Sequence, residues 1–266
     1  MLDSIIDPLF HIPFATGGLL ALLLPLLGVY LRLREEWLAA LGLAQLAGAG
    51  ALAGTALGLP LLLGSALGAG LGAGVKSLRW SLGNDVYAVM ILCGWSLTLL
   101  IAANSPHGDE LGHAVTDGQL YFTGPLHLGT ALGLTLLTTL LLGWLSPHLL
   151  RARFFPDYYR ANQLAEWHYH LSFDLLCAAT LATATASLGL MAAFVLAFIP
   201  PWVAFRWAPG WRLSLLLAAS LGLSSYLVAF ILALRFDQPF GPVLVASTLL
   251  MGALFGLGPT CKRALY

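Results

Sequence analysis

The sequence predicts an all-α, polytopic transmembrane helix bundle of about nine spans, and three observations carry that expectation. The 266 residues are 59% hydrophobic and only 9% charged, with mean hydropathy +0.86, whereas soluble domains carry about 25% charged residues. The apolar runs are long and rich in Leu, Ala and Gly, without the strict alternation of a barrel strand. The length accommodates eight to ten helical spans of roughly 20 residues each.

Nine apolar segments follow in order, at about 14–31, 37–56, 60–75, 86–104, 126–146, 169–188, 190–205, 213–234 and 241–258. Basic residues fix their sidedness. Arg32 and Arg34 follow the first segment, and Lys76 and Arg79 the third. Arg151, Arg153 and Arg160 follow the fifth, Arg206 and Arg212 the seventh, and Lys262 and Arg263 come after the ninth. Only Arg235 falls on the opposite side, so the positive-inside rule predicts an odd span count with the N-terminus out and the C-terminus in. The whole chain, 1–266, reads as one transmembrane domain.

Several function classes drop out. A net charge of zero leaves no nucleic-acid footprint. Cys93, Cys177 and Cys261 form no CxxC and imply no disulfide framework. The acidic N-terminal stretch "MLDSIIDPLFHIP" does not read as a cleaved signal peptide. "GAGLGAGVKS" looks like a phosphate loop but fails, because Val75 separates Gly74 from Lys76. Gly64, Gly68 and Gly72, spaced by four, read as a close helix-packing face within the chain.

The longest cytoplasmic segment, 150–168, lies between the fifth and sixth spans and is rich in polar and aromatic residues. Pro156 can begin a short helix, with Asp157 in its first turn. A membrane-surface helix and a docking helix for a soluble partner both fit that pattern.

Here the chain resembles the permease subunits of bacterial zinc and manganese ATP-binding-cassette importers. "FFPDYYRANQLAEWHYH" is similar to that family's coupling segment. "SLGLMAAFVLAFIPPWVAF" places Gly189 at a family glycine and Pro200–Pro201 at its helix-breaking proline. "RFDQPFGPVLV", with Asp237, Pro239, Gly241 and Pro242, looks like the last external turn, and "DGQLYFTGPLHLG" puts Asp117 and Gly124 at matching places. The resemblance covers roughly residues 5–258. It implies a type II-like importer permease in the bacterial inner membrane, working as a homodimer with two ATPase subunits below and a solute-binding protein above. ATP would be bound by the partner subunit, with no cofactor in this chain, and the cargo would be Zn or Mn. The short helix at 156–167 would be the coupling helix, carried by Asp157, Tyr158, Arg160, Ala161, Asn162 and Gln163.

The family's second span holds an Asp and a His four residues apart, on one helix face. In "EEWLAALGLAQLAG" those places are Ala39 and Leu43, with Gly42 at the intervening serine. Neither can ligate a metal, so four readings stay open. The external loop "NSPHGDELGHAVTDGQ" could capture Zn²⁺ through His107, Asp109, Glu110 and His113, with His11 and His127 near that face, or it could simply touch a binding protein. Met90, Cys93, Cys177 and Met191 could form a soft Cu(I) set, or pack in the core. The cargo could be a chelated metal or another small solute, since the Ala/Gly-rich second span would line a wide, smooth passage. Or the passage could conduct without tight binding. Asp85, beside Asn84, reads as a helix-start acid. Asp174 is either functional or paired with His168 or His170 near the interface.

A membrane scaffold or enzyme is the rival class, but no Ser/His/Asp set or HExxH supports it. A nearly uncharged midplane argues against proton- or sodium-coupled secondary transport.

Overall fold

The computed structural model describes residues 8–78, 83–105, 108–155, 157–165 and 167–256. Arg79, His107, Pro156, Cys261, Lys262 and Arg263 lie outside the described residues, as do the side chains of Asn84, Asp109 and Arg160. Among the described residues the chain is helical with no strand. The helices are α1 (Pro8–Leu33), α2 (Leu38–Ala56), α3 (Leu61–Leu78), α4 (Gly83–Asn104), α5 (Gly108–Asp117), α6 (Pro125–Phe154), α7 (Asp157–Ala161), α8 (Trp167–Leu188), α9 (Leu190–Trp207), α10 (Trp211–Phe236) and α11 (Phe240–Gly256), with a 3-10 turn at Leu120–Phe122.

All but α5 and α7 coincide one for one with the nine apolar segments. Seven of these nine are long and apolar enough to cross a membrane, while Leu61–Ser77 and Phe240–Gly256 are apolar but shorter. Two boundaries differ from expectation. Helix α6 runs on to Phe154 rather than stopping near 146, because Pro147 is absorbed inside it. The predicted external loop folds as α5.

Contacts order the bundle ends. Arg34, Lys76, Asp174 and Arg153 gather with α7 at one end, while α5 and the 3-10 turn close the other. At the α5 end, Gly118 (φ 83°) and Gly189 (φ 96°) lie back to back. A Cβ on Gly118 would sit 2.2 Å from the Leu188 carbonyl, and one on Gly241 would sit 2.0 Å from that of Asp117. Positive φ and this crowding together require glycine at the break between α8 and α9.

Helix α2 packs on α3 backbone to backbone. A Cβ on Gly50 would lie 2.4 Å from the Gly64 carbonyl oxygen, and one on Gly68 would lie 2.1 Å from that of Leu46. The four-residue glycine spacing is thus an intrachain packing face, as its periodicity suggested. Pro200 and Pro201 do not break a helix, contrary to the sequence expectation. Helix α9 passes through both and ends at Trp207. Pro201 has no N–H to give the Ala197 carbonyl, and Gly28 of α1 presses against that carbonyl instead, where a Cβ would be 2.0 Å away.

Replacing Gly50 or Gly68 with Leu should destabilise the fold by about 1–3 kcal/mol through overpacking, while Gly70→Leu, with nothing within 4 Å of its Cβ position, should leave the thermal midpoint in detergent unchanged. Equal midpoints for all three would contradict the backbone contact.

Candidate functional site

On α2 the two positions that matter are fully buried. Ala39 and Leu43 sit in the main core with Tyr87 and Met90 of α4, Ala73 of α3 and Cys177 of α8. Gly42 lies against Tyr87 and Met90, with the Met90 Cβ 3.3 Å from where its own Cβ would be. On α2 itself this face carries only hydrocarbon and offers no electron pair, as the residue types implied.

One turn closer to the α7 end lies a group of four charges that sequence reasoning did not assemble. Arg34 lies just past α1, Glu36 in the α1–α2 linker, Lys76 at the end of α3 and Asp174 in the second turn of α8. The Arg34 guanidinium donates to Asp174 Oδ1 at 3.0 Å and approaches Glu36 Oε2 at 2.9 Å. The Lys76 ammonium donates to the same two oxygens, at 2.5 Å and 2.8 Å. Positive and negative groups thus alternate around a closed ring of zero net charge. The Arg34, Lys76 and Asp174 side chains are only 7%, 11% and 2% exposed. Burial alone would lower the pKa of Arg34, but Asp174 and then Glu36 outweigh it and raise it above its ordinary value. Aromatic faces complete the shell, with Arg34 over Phe173 at 5.2 Å and Lys76 over Tyr87 at 5.7 Å.

Asp174 thus pairs with Arg34 and Lys76, partners that the sequence reading did not give it. The sequence places two bases and two acids near segment ends and gives no sign that they meet.

The α1–α2 linker also reaches α6. Glu35 adopts φ 60° and pairs with Arg153. Beyond it, α7 is shorter than the predicted 156–167, ending at Ala161, with Gln163 turning at φ 52°. Buried Tyr159 anchors α7 by donating to the His148 carbonyl at 3.2 Å, and Arg151 lies over the Tyr158 ring at 5.8 Å. Asp157, Tyr158, Ala161, Asn162 and Gln163 are exposed, flanked by exposed Phe154, Phe155 and Leu164.

At the opposite end, α5 is amphipathic. Its buried Val115 meets Gly48 of α2, where a Cβ would be 3.0 Å away. Glu110 is exposed, and His113, 80% exposed, is 3.7 Å from Asp117 one turn on. Among the described residues no three His, Cys, Asp or Glu come together to hold a metal ion. The soft set does not converge either, since Met90 and Cys177 are buried while Cys93 and Met191 are exposed. Asp85 is exposed in the first turn of α4, as a helix-start acid would be.

Comparison with known proteins adds the following. A sequence-family profile described as the ABC 3 transport family matches residues 9–256. No curated protein matches by sequence. Among solved structures, the fold is similar to PsaBC from Streptococcus pneumoniae in complex with Fab, at 17% identity and TM-score 0.81, covering 96% of this chain and 95% of that one. It is also similar to a transporter described as metal-chelate type in an inward-facing conformation, at 17% identity and TM-score 0.68, covering 92% and 83%.

Removing one member of the charge ring strands the others in a dry site. Asp174→Asn should cost about 3 kcal/mol or more, read as a drop in thermal midpoint in detergent. Combining it with Lys76→Met should recover part of the loss, and an additive double variant would show that the two groups do not interact.

Proposed function

The chain belongs to the ABC 3 transport family, and from that we infer that it is the membrane-spanning permease of an ATP-driven importer for a divalent transition metal, zinc or manganese, or for a metal–chelate complex. The observation that carries this reading is the family match across residues 9–256, on a bundle that superimposes on PsaBC over nearly its whole length. The chain is a multi-pass transport subunit, and a separate ATPase hydrolyses the ATP.

Several finer features follow from the same reading. Two copies pair in the bacterial inner membrane, N-terminus out and C-terminus in, so that the α7 end faces the cytoplasm and the α5 end an extracytoplasmic solute-binding protein. Helix α7 is the coupling helix. Its support is a rigid anchor at Tyr159 combined with an exposed polar and aromatic face, the arrangement a partner's groove would need in order to push on the bundle. The push would pass into α8, whose first turn begins a few residues beyond α7. The external His113 and Glu110, with His107 and Asp109, would meet the binding protein or hand over the cargo.

A chelated cargo is favoured over a bare ion by one specific observation. Ala39 and Leu43 are fully buried hydrocarbon where a metal-importing relative would place ligands, so α2 cannot strip a cation from its chelator.

The test is reconstitution. The chain is purified with the ATPase that accompanies it, inserted into liposomes with the binding protein, and assayed for ATP-dependent uptake of Zn²⁺, Mn²⁺ and chelated metal. Uptake of at least one form is expected, and no stimulation by any would sink the metal-import reading. In the same vesicles, alanine at Asp157 and Arg160 should leave ATP hydrolysis running while uptake falls toward background. Undiminished uptake would remove the coupling role of α7.

A further inference from the structure

We propose that the four-residue linker between α1 and α2 is a junction that carries movement of α7 into the bundle, with the exposed Glu35–Arg153 pair as its input. The inference rests on the reading of α7 as the segment on which the ATPase acts, and it names residues outside α7 that the coupling uses.

Four consecutive side chains of the linker reach four different helices. Arg34 donates to Asp174 of α8, Glu35 pairs with Arg153 of α6, Glu36 accepts from Lys76 of α3, and the Trp37 ring lies 5.1 Å from that of Phe198 of α9. A displacement of this short segment acts on all four helices at once. The link to α6 is also the link to α7. Arg153 stands four residues before Asp157, and Tyr158 and Tyr159 hold α7 to the same end of α6 through the Arg151 guanidinium and the His148 carbonyl.

The backbone singles out Glu35. Its N–H bonds the Arg32 carbonyl at 3.0 Å, and the Glu36 N–H bonds the Leu31 carbonyl at 2.9 Å. These are the two bonds of a Schellman stop, which places Glu35, at φ 60°, in the left-handed position that glycine ordinarily takes. A glutamate there gives up backbone stability that glycine would keep. What it supplies and glycine cannot is a carboxylate at Arg153. The two side chains are 71% and 44% exposed, and an exposed ion pair adds little to stability. What the pair adds is a tie between the linker and the α6–α7 corner. Arg34 and Glu36, on either side of Glu35, belong to the buried ring, so a shift of Glu35 is passed inward to α3 and α8. Helix α7 also meets α8 directly, where the Tyr169 ring lies 4.1 Å from that of His148 and 6.0 Å from that of Tyr159. Cutting the linker's input should therefore weaken transmission rather than abolish it.

The test uses the full-length chain with its ATPase and binding protein in vesicles. It reads uptake of Zn²⁺, Mn²⁺ or chelated metal per ATP hydrolysed, beside the thermal midpoint in detergent. Glu35→Gly removes the carboxylate and suits the backbone, so its midpoint should be no lower than that of wild type while uptake per ATP falls about fivefold. Arg153→Gln should lower the ratio by a similar factor. Glu35→Arg should lower it at least as far, and Glu35→Arg/Arg153→Glu should recover most of the wild-type ratio. A purely structural pair predicts the reverse, a lowered midpoint with an unchanged ratio. An unchanged ratio in Glu35→Gly, or no recovery in the double swap, overturns the proposal. If alanine at Asp157 and Arg160 uncouples transport while the Glu35 variants do not, the linker's role alone falls. No ATP-driven uptake by wild type removes the importer reading, and this inference with it.

Discussion

Four alternating charges bind this bundle at one end, and much of the rest follows from their being buried. Each of Arg34 and Lys76 touches both Glu36 and Asp174, so the end of α1, the start of α2, the end of α3 and the second turn of α8 are held at one point. Desolvating four ions costs several kcal/mol per ion, and only a closed, neutral arrangement with good geometry offsets it. Loss of one member leaves an excess charge with no water to receive it. Such a ring has few intermediate states: it is made or broken, the kind of element through which a small displacement becomes a change of state.

Around that point the bundle is packed by small residues. Helix α2 contributes Gly50 and Gly54 to α3 and Gly48 to Val115 of α5, while Gly94 of α4 closes on the Gln45 backbone. In lipid no hydrophobic gain drives one helix onto another, so close van der Waals approach has to supply the attraction. This explains a second span that is almost featureless by side-chain chemistry and yet among the most enclosed helices of the fold.

The two ends of the molecule are held together in different ways. At the α5 end, Gly118, Gly189 and Gly241 allow chain segments to cross at contact distance, and α5 lies across the bundle as a helix. At the α7 end, long side chains do the joining: Glu35 to Arg153, Tyr159 to the His148 carbonyl, and the Trp37 ring tilted against Phe198 with centroids 5.1 Å apart. Between them α8 runs the length of the core, from the turn after α7, past Asp174, to the glycine break beside α5.

The sequence by itself determined the membrane class and the nine apolar segments, because length and hydropathy are local properties that lipid reads segment by segment. It also determined that Ala39 and Leu43 cannot ligate a metal, since that depends on residue type alone. The glycine spacing of α3 showed a packing face, though not its partner. Tertiary structure decided the rest. Arg34 and Lys76 served only as signals of sidedness, and Asp174 as an acid beside histidines, because nothing in a one-dimensional pattern says that residues 34, 36, 76 and 174 meet. The external loop became α5 because Val115 found Gly48 to bury against, a contact between residues far apart in the chain. Pro200 and Pro201 stayed inside α9 because Gly28 came to the carbonyl that Pro201 could not serve. In each case the deciding energy comes from groups brought together only by folding.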